Sequence, residues 1–178
     1  MSRLRDEVAA ALTFQTYPAA PEISGVWTFP LRKLRGENGA FMEVLRLGEE
    51  GVQGLPGLFT PRQFSVSWAA PGRLNAFHLH PLAEQNELWC VLAGQLLVWL
   101  VDVRAESASS GVRRSMILSG EAPTLLMIPS GVAHGFRAGP QGATLLYAVD
   151  AQFDPAHPNE GRLPWDFFGP ELWEEDRG

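Results

Sequence analysis

The chain has 178 residues, a length that predicts one domain with a single hydrophobic core rather than two. Hydrophobic residues make up 46% of the sequence and charged residues 19%, which excludes a globally disordered chain. The formal net charge of -6 argues against a nucleic acid or an anionic membrane as a partner, and no apolar run approaches the ~20 residues that span a bilayer.

The N-terminal segment predicts a short helix that leads into an extended arm. Leu4, Val8, Ala11 and Leu12 recur at helical spacing, so we expect an amphipathic helix over residues 3–13. The composition changes near residue 25, where short β-rich runs begin, and again after residue 154, where prolines become frequent. We therefore divide the chain into an N-terminal helix and arm (1–24), a barrel (25–154) and a loop-rich C-terminal flap (155–178).

Two features indicate the cellular compartment. Acidic residues lie close to the first methionine, where a secretory or transit peptide avoids them. The single cysteine, Cys90, cannot form an intrachain disulfide and fits a reducing compartment. Both features predict a cytoplasmic protein.

The central part of the chain reads as short strands separated by Gly, Pro or Asn. With 18 glycines and 14 prolines, the composition favours many turns, and no long helix interrupts the strands. The sequence therefore predicts an all-β antiparallel sandwich or barrel. The predicted strands are Val26–Phe29, Phe41–Leu47, Phe64–Trp68, Leu74–His80, Leu88–Leu92, Leu96–Arg104, Met116–Leu118, Leu125–Ile128, Val132–Arg137 and Thr144–Val149.

Three local patterns refine this prediction. Residues 63–68 alternate strictly between polar and apolar, as a strand with one wet and one dry face does. Residues 93–95, Ala-Gly-Gln, read as the tight turn of a hairpin between two apolar strands. The run Leu96–Val101 would form a long apolar edge that benefits from pairing with another chain, which favours a homodimer.

The four histidines are the main candidates for chemistry. His78 and His80 are two residues apart on one predicted strand, so both side chains leave the same face. His134 follows a Pro-x-Gly turn on a second strand, and His157 lies in the tail. A single strand histidine is more often structural than catalytic, but two on one face and a third after such a turn indicate a site.

These histidines lie in motifs that resemble the cupin superfamily and, within it, the dTDP-4-dehydrorhamnose 3,5-epimerase family of sugar-nucleotide enzymes. The resemblance runs from about Gly36 to Trp173. It implies a cupin-type antiparallel β-barrel, or jelly roll. The matching segments are Gly36–Glu43 (Asp-x-Arg-Gly-x-Phe-x-Glu in the family), Asn75–His80 (Arg-Gly-Leu-His-x-Gln), Val101–Arg104, Ile128–Phe136 (Ile-Pro-x-Gly-x-Ala-His-Gly-Phe), Leu146–Tyr147 and Asn159–Asp166.

The resemblance also implies an activity, a set of site residues and a dimer. A base removes a proton from the carbon next to a ketone, and an acid on the opposite face returns one with inverted configuration. His78 matches the base and Tyr147 the acid, acting on a keto-sugar or similar small molecule, possibly linked to a nucleotide, without a cofactor. The residues expected to line the substrate pocket are Glu43, Gln63, His80, His134 and Phe153.

The chain departs from the family at the positions that carry positive charge there. The basic residues that hold phosphate and stabilise the enolate fall here on Asn38, Asn75 and Glu87. A family tyrosine near the sugar falls on Phe153, and the carboxylate that orients the basic histidine finds no counterpart before the chain ends.

These departures leave two alternatives open. His78, His80, Glu87 and His134 make a three-histidine, one-carboxylate set that suits Fe, Mn, Ni or Zn and would support isomerase or dioxygenase chemistry. Glu84 is a second candidate for the carboxylate, and a metal-bound His78 could not also be a free base. Alternatively, the chain is a non-catalytic sugar-binding barrel.

Overall fold

The computed structural model describes residues 3–174, which form antiparallel β-structure with one short helix. Residues 1–2 of the predicted arm and 175–178 of the predicted flap lie outside the described residues. Among the described helices, none is long and apolar enough to cross a membrane. The elements are α1 (Asp6–Ala11), β1 (Trp27–Pro30), β2 (Leu34–Gly36), β3 (Gly39–Phe41), β4 (Leu47–Gly48), β5 (Gly51–Val52), β6 (Gln63–Ala69), β7 (Leu74–Leu79), β8 (Glu87–Asp102), β9 (Arg113–Ser119), β10 (Thr124–Ile128), β11 (Val132–Val149), β12 (Gly161–Arg162) and a 3₁₀ helix (Pro170–Trp173).

Two long strands, β8 and β11, organise the fold because each one runs through both layers of it. In the first layer the order is β1, β10, the first half of β8, the second half of β11, and β6. In the second layer it is β9, the second half of β8, the first half of β11, β7, and β12. All these pairs are antiparallel, and the predicted all-β jelly-roll fold of the cupin type is confirmed.

The hairpin predicted at residues 93–95 is wrong. β8 continues through Gly94 as one strand, and β11 likewise joins two segments that the sequence suggested were separate. Gly94 has φ 69°, and the pairing of β8 with β11 shifts register between Ala138 and Ala143. A Cβ on Gly94 would overlap the carbonyl of Gly142. The glycine therefore marks a bend where the two strands pass closely from one layer to the other, and not a chain reversal.

The apolar run Leu96–Val101 is not the sheet edge that the sequence suggested. It lies in the centre of the second layer, paired with β9 on one side and β11 on the other. Leu96, Val98 and Leu100 are fully buried in the main core. An apolar run therefore marks burial within the sheet here, and it gives no support to a dimer contact.

The alternation at β6 is real, but its apolar face points outward. Phe64, Val66 and Trp68 are exposed at 49%, 40% and 71%. Gln63 and Ser67 are on the opposite face and line an internal cavity. The interior is polar at this point, so the polar face is the one that turns inward.

Two predicted elements near the N-terminus differ from the structure. The helix is shorter than 3–13 and buries no residue, so little holds its ends in helical form. The predicted strand Phe41–Leu47 is wrong, because the chain leaves β3 at Phe41 and re-enters β-structure only at Leu47. Within residues 3–174, β2 pairs only with β3, and β4 only with β5, in two small hairpins outside the main sheet.

The C-terminal segment packs against the second layer. Phe77 of β7 is fully buried, and its ring contacts those of Phe168 and Trp173 at centroid distances of 4.9 and 5.4 Å. The backbones of Phe77 and Leu163 exchange two hydrogen bonds. These contacts place residues 159–162 beside the mouth of the cavity.

Candidate active site

A cavity of about 510 Å³ opens between the two layers. Its walls carry both polar groups and aromatic rings, a mixture that suits a small polar ligand with an apolar face. The lining residues are Gln63, Ser67, Asn75, His78, His80, Gln85, Glu87, Trp89, His134, Gly135, Phe136, Leu145, Tyr147, Val149, Phe153, Glu160 and Arg162.

Strand pairing brings three histidines together in this cavity. His78 of β7 is directly opposite His134 of β11, and His80 follows β7 by one residue. The ring centroid of His78 is 4.5 Å from that of His80 and 5.2 Å from that of His134. His78 and His80 point to the same side of the sheet, and the pairing of β7 with β11 brings His134 beside them. The three rings therefore form one cluster.

Glu87, the first residue of β8, lies at the centre of the cluster. Its Oε1 is 2.6 Å from His80 Nε2 and 3.4 Å from His134 Nε2, and its Oε2 accepts a 2.6 Å hydrogen bond from the indole of Trp89. The side chains of His80, Glu87 and His134 are only 3 to 4% exposed. Glu84, the other carboxylate suggested by the sequence, does not belong to this cluster.

The carboxylate and its neighbour His80 shift each other's pKa. Burial alone would raise the pKa of Glu87, but His134, His80 and Trp89 outweigh it and hold that pKa well below its usual value. Burial also lowers the pKa of His80, yet the hydrogen bond and charge of Glu87 leave it raised. The cluster thus stabilises a charged carboxylate in a buried place.

His78 is the most exposed of the three clustered histidines, at 19% of its side chain. Its Nε2 lies 2.6 Å from Glu160 Oε2, at an angle that does not make a hydrogen bond. Burial, together with His134 and His80, lowers the pKa of His78 to about 3. The ring is therefore neutral near pH 7.

Tyr147 lines the opposite side of the cavity. It lies on the second half of β11, in the first layer, whereas His78 belongs to the second layer. Nearby, the side chain of Gln63 accepts a 2.9 Å hydrogen bond from the backbone N–H of Phe153. Gln63 and Phe153 thus form one part of the cavity rim.

Glu43, which the sequence suggested as a pocket residue, does not line this cavity. It follows β3, after the chain has left the main sheet, and forms a 2.9 Å ion pair with Arg46. His157 also lies elsewhere, at 86% side-chain exposure beside Asp154. The other predicted site residues, His78, His80, Glu87, His134, Tyr147, Gln63 and Phe153, all line the cavity.

Sequence reasoning assigned no role to two charged residues that the C-terminal segment brings to the mouth. Arg162 of β12 is paired in register with His78 and donates a 2.9 Å hydrogen bond to the side chain of Asn75. It is the one Arg or Lys among the described lining residues. Glu160 lies two residues earlier, and the Glu-Gly-Arg segment 160–162 could have been recognised in the tail motif.

Comparisons with known proteins agree with this geometry. The profile of the dTDP-4-dehydrorhamnose 3,5-epimerase family matches residues 20–167. The spore coat polysaccharide biosynthesis protein SpsL of Bacillus subtilis is 34% identical over 145 residues, which cover 81% of this chain and 91% of that protein.

Two solved structures have the same fold. A dTDP sugar isomerase from Desulfovibrio desulfuricans is 28% identical with a TM-score of 0.72, covering 85% of this chain and 92% of that one. A dTDP-6-deoxy-D-glucose-3,5-epimerase from Legionella pneumophila, solved in complex with dTDP-4-keto-L-rhamnose, is 27% identical with a TM-score of 0.72. The alignment covers 88% of this chain and 80% of the Legionella chain.

Proposed function

This chain belongs to the dTDP-4-dehydrorhamnose 3,5-epimerase family, and we propose that it is an isomerase that inverts carbon next to the carbonyl of a nucleotide-linked keto sugar. The observation that carries the proposal is the cavity in which His78 and Tyr147 stand on opposite layers of the barrel. A base on one side of a sugar ring and an acid on the other are what epimerisation needs.

In the proposed reaction, the imidazole of His78 takes the proton from the carbon next to the ketone. The electron pair moves onto the carbonyl oxygen and gives an enolate. The phenol of Tyr147 then returns a proton to the opposite face of the same carbon, which inverts its configuration. No electron leaves the substrate, so the step itself calls for no redox cofactor.

Arg162 supports the enolate in place of the basic residues that the family carries elsewhere. An enolate forms readily only near positive charge or hydrogen-bond donors. Arg162 brings a guanidinium to the cavity wall beside His78, and its hydrogen bond to Asn75 holds it there. The guanidinium of Arg162 thus partly replaces the positive charge that the family carries at positions 38, 75 and 87.

Glu160 supports the base. It brings a carboxylate oxygen within 2.6 Å of His78 Nε2, where it would stabilise the imidazolium that forms when His78 takes the proton.

The experiment follows hydrogen exchange at carbon. The protein is incubated in heavy water with dTDP-4-keto-L-rhamnose, the compound bound by the Legionella enzyme, and deuterium at C3 and C5 is measured by NMR. We expect uptake by the wild type and a fall of about 10²- to 10⁴-fold in His78→Ala. The exposed His157→Ala is the matched control and should exchange normally. Equal exchange in His78→Ala and wild type would contradict the proposed base, and no exchange by the wild type would favour a non-catalytic sugar-binding barrel.

We also propose a cytoplasmic homodimer. The exposed apolar face of β6, formed by Phe64, Val66 and Trp68, supports a contact with a second copy. The buried, unpaired Cys90 supports a reducing compartment. Light scattering should give twice the mass of one chain, and Trp68→Glu should shift the protein toward the monomer. A monomeric wild type would contradict the dimer.

A further inference from the structure

Asn159 joins the C-terminal segment to the loop that follows β7, residues 81–86. Its side-chain oxygen accepts a 2.7 Å hydrogen bond from the backbone N–H of Leu82, and its side-chain nitrogen donates a 2.8 Å hydrogen bond to the carbonyl of Ala83. Its backbone carbonyl accepts a 2.6 Å hydrogen bond from the Nδ1–H of His80. One residue therefore bonds to the loop through its side chain and to the cavity through its main chain.

The strand register explains why an amide side chain is needed at this position. Phe77 and Leu163 exchange two backbone hydrogen bonds, and the pairing of β7 with β12 continues from them toward the loop. Bonded pairs recur at every second residue of an antiparallel ladder, so this register would next pair Asn159 with Pro81. Pro81 has no N–H, which leaves the carbonyl of Asn159 free to accept from His80. The side chain, with one acceptor and one donor group, then binds the next two backbone groups of the loop in place of the ladder.

The ring of His80 is held between the C-terminal segment and the same loop. Its Nδ1 bonds to Asn159, and its Nε2 lies 2.9 Å from the side-chain nitrogen of Gln85, a loop residue. The same Nε2 lies 2.6 Å from Glu87 Oε1. Because the ring centroid of His80 is 4.5 Å from that of His78, the position of His80 determines how the proposed base is packed.

Asn159 also precedes the two charged residues that flank the base. Glu160 follows it directly and brings Oε2 within 2.6 Å of His78 Nε2, and Arg162 pairs in register with His78. The side chain of Glu160 is 39% exposed, so its place depends on the backbone of this segment more than on burial. Fixing Asn159 therefore fixes the charges on one side of the base.

We propose that Asn159 is a positioning residue for proton transfer at His78. Its two side-chain hydrogen bonds fasten the C-terminal segment to loop 81–86, and the fastened segment holds the ring of His80 and the carboxylate of Glu160 against the base. A displacement of about 1 Å in a reacting group can cost on the order of 10²-fold in rate. The effect on catalysis rests on the proposed function, whereas the effect on the ring of His80 does not.

The fold has other anchors for the C-terminal segment, so loss of the Asn159 side chain should leave it folded. Phe77 packs against Phe168 and Trp173, beyond β12. The loop residues that Asn159 binds are exposed, and their backbone groups can bond to water when the amide is removed. We therefore expect a small change in stability and a larger change in geometry.

The first measurement needs no substrate. In protein labelled with ¹⁵N-histidine, NMR detects the Nδ1–H proton of His80 when its hydrogen bond protects it from exchange with water. Asn159→Ala keeps the backbone carbonyl that accepts this bond, so a change in the signal reports on the position of the segment. We expect the signal in the wild type and in the exposed control His157→Ala, and its loss in Asn159→Ala.

The second measurement is deuterium exchange on the keto sugar. In Asn159→Ala kcat should fall by about 10- to 10²-fold, with KM changed by less than about 3-fold. The Tm should fall by no more than about 5 °C, as the loss of two exposed hydrogen bonds predicts. Asn159→Asp keeps the acceptor for Leu82 and loses the donor to Ala83, so it should restore part of kcat and part of the His80 signal.

The outcomes separate the positioning role from a structural one. If Asn159→Ala keeps both the His80 signal and the wild-type kcat, Asn159 does not position the site. If kcat and Tm fall together while the His80 signal persists, the residue only stabilises the fold. Should Asn159→Ala fail to fold, Asn159→Asp is judged by the same two criteria. Loss of the His80 signal in the variants, with no deuterium uptake by the wild type, would contradict only the proposed function.

Discussion

Strand β8 begins and ends on a buried carboxylate, and the two carboxylates have opposite surroundings. Asp102, at its end, is fully buried and accepts five hydrogen bonds, from the backbone and side chain of Arg104 and from Ser107 and Ser109. Glu87, at its start, accepts one from Trp89, shares a 2.6 Å hydrogen bond with His80 Nε2 and lies 3.4 Å from His134 Nε2. Asp102 is bound by groups that tie the end of the strand to the following loop, whereas Glu87 is bound by the imidazoles and the indole of the cavity.

Changing each acid to its amide tests this contrast, and the largest effect is expected at Asp102. In Asp102→Asn an NH₂ group meets a shell of donors, and Arg104 loses its counter-charge. We expect the free energy of unfolding to fall by about 3–5 kcal/mol. Urea denaturation measures it. A loss below about 1 kcal/mol would contradict the structural role.

At Glu87 the same chemical change should act on turnover instead of stability. In Glu87→Gln the amide can donate to a lone pair of His80 or His134, so we expect the free energy of unfolding to change by less than about 1 kcal/mol. Deuterium exchange on the keto sugar should fall by about 10²-fold, because the ring of His80, which packs against the proposed base His78, loses the carboxylate that orients it. Unchanged exchange would place Glu87 with Asp102 as a structural residue.

A smaller effect is expected at the rim. Arg162→Met keeps much of the side-chain length and removes the charge, and exchange should fall by about 10-fold, or about 1.4 kcal/mol in the barrier. The exposed Arg35, which pairs with Glu121 away from the cavity, provides the control Arg35→Met. If both variants exchange at the wild-type rate, Arg162 does not support the enolate.

The smallest effect is expected on the free energy of unfolding at acidic pH. The hydrogen bonds from Arg104, Ser107 and Ser109 outweigh burial and hold the pKa of Asp102 well below its usual value. A depressed carboxyl pKa stabilises the fold above the unfolded pKa of about 3.9, and this contribution is lost as pH falls through the folded pKa. At pH 3 the wild type should have lost about 1 kcal/mol of it. Asp102→Asn cannot titrate, so the stability gap between the two proteins should narrow between pH 5 and pH 3. A constant gap would contradict the assignment.

The sequence predicted the parts of the site that depend on short spacing. His78 and His80 share a strand face by their separation alone, and the Pro-x-Gly turn placed His134 on a second strand. The tail motif was visible as well. The spacing of residues does not predict that residues 159–162 fold back across β7. That contact joins positions about 80 residues apart and depends on the packing of Phe77 with Phe168 and Trp173. Glu160 and Arg162 therefore received no role.

The predictions that failed or stayed open concern features that depend on how the strands pair. Gly94 reads as a turn because glycine with positive φ serves both turns and strand bends, and only the partner strand distinguishes them. Glu43 was carried over from a motif match, although the chain at this point lies outside the main sheet and between two strands. The choice between Glu84 and Glu87 depended on where β8 begins, which the structure fixes at Glu87.

The pairing of β12 with β7 means that part of the cavity rim comes from a short segment outside the long strands. One short edge strand, held by the Gly161 and Arg162 positions, delivers both an acidic and a basic group to the cavity from outside the two long strands. The clustered histidines and Tyr147 come from other parts of the chain, although His80 bonds to the carbonyl of Asn159 and His78 lies beside Glu160 in this segment. Exchanging residues 159–163 between relatives would therefore change, in one step, the two charged groups that flank His78 while β8 and β11 keep their sequence.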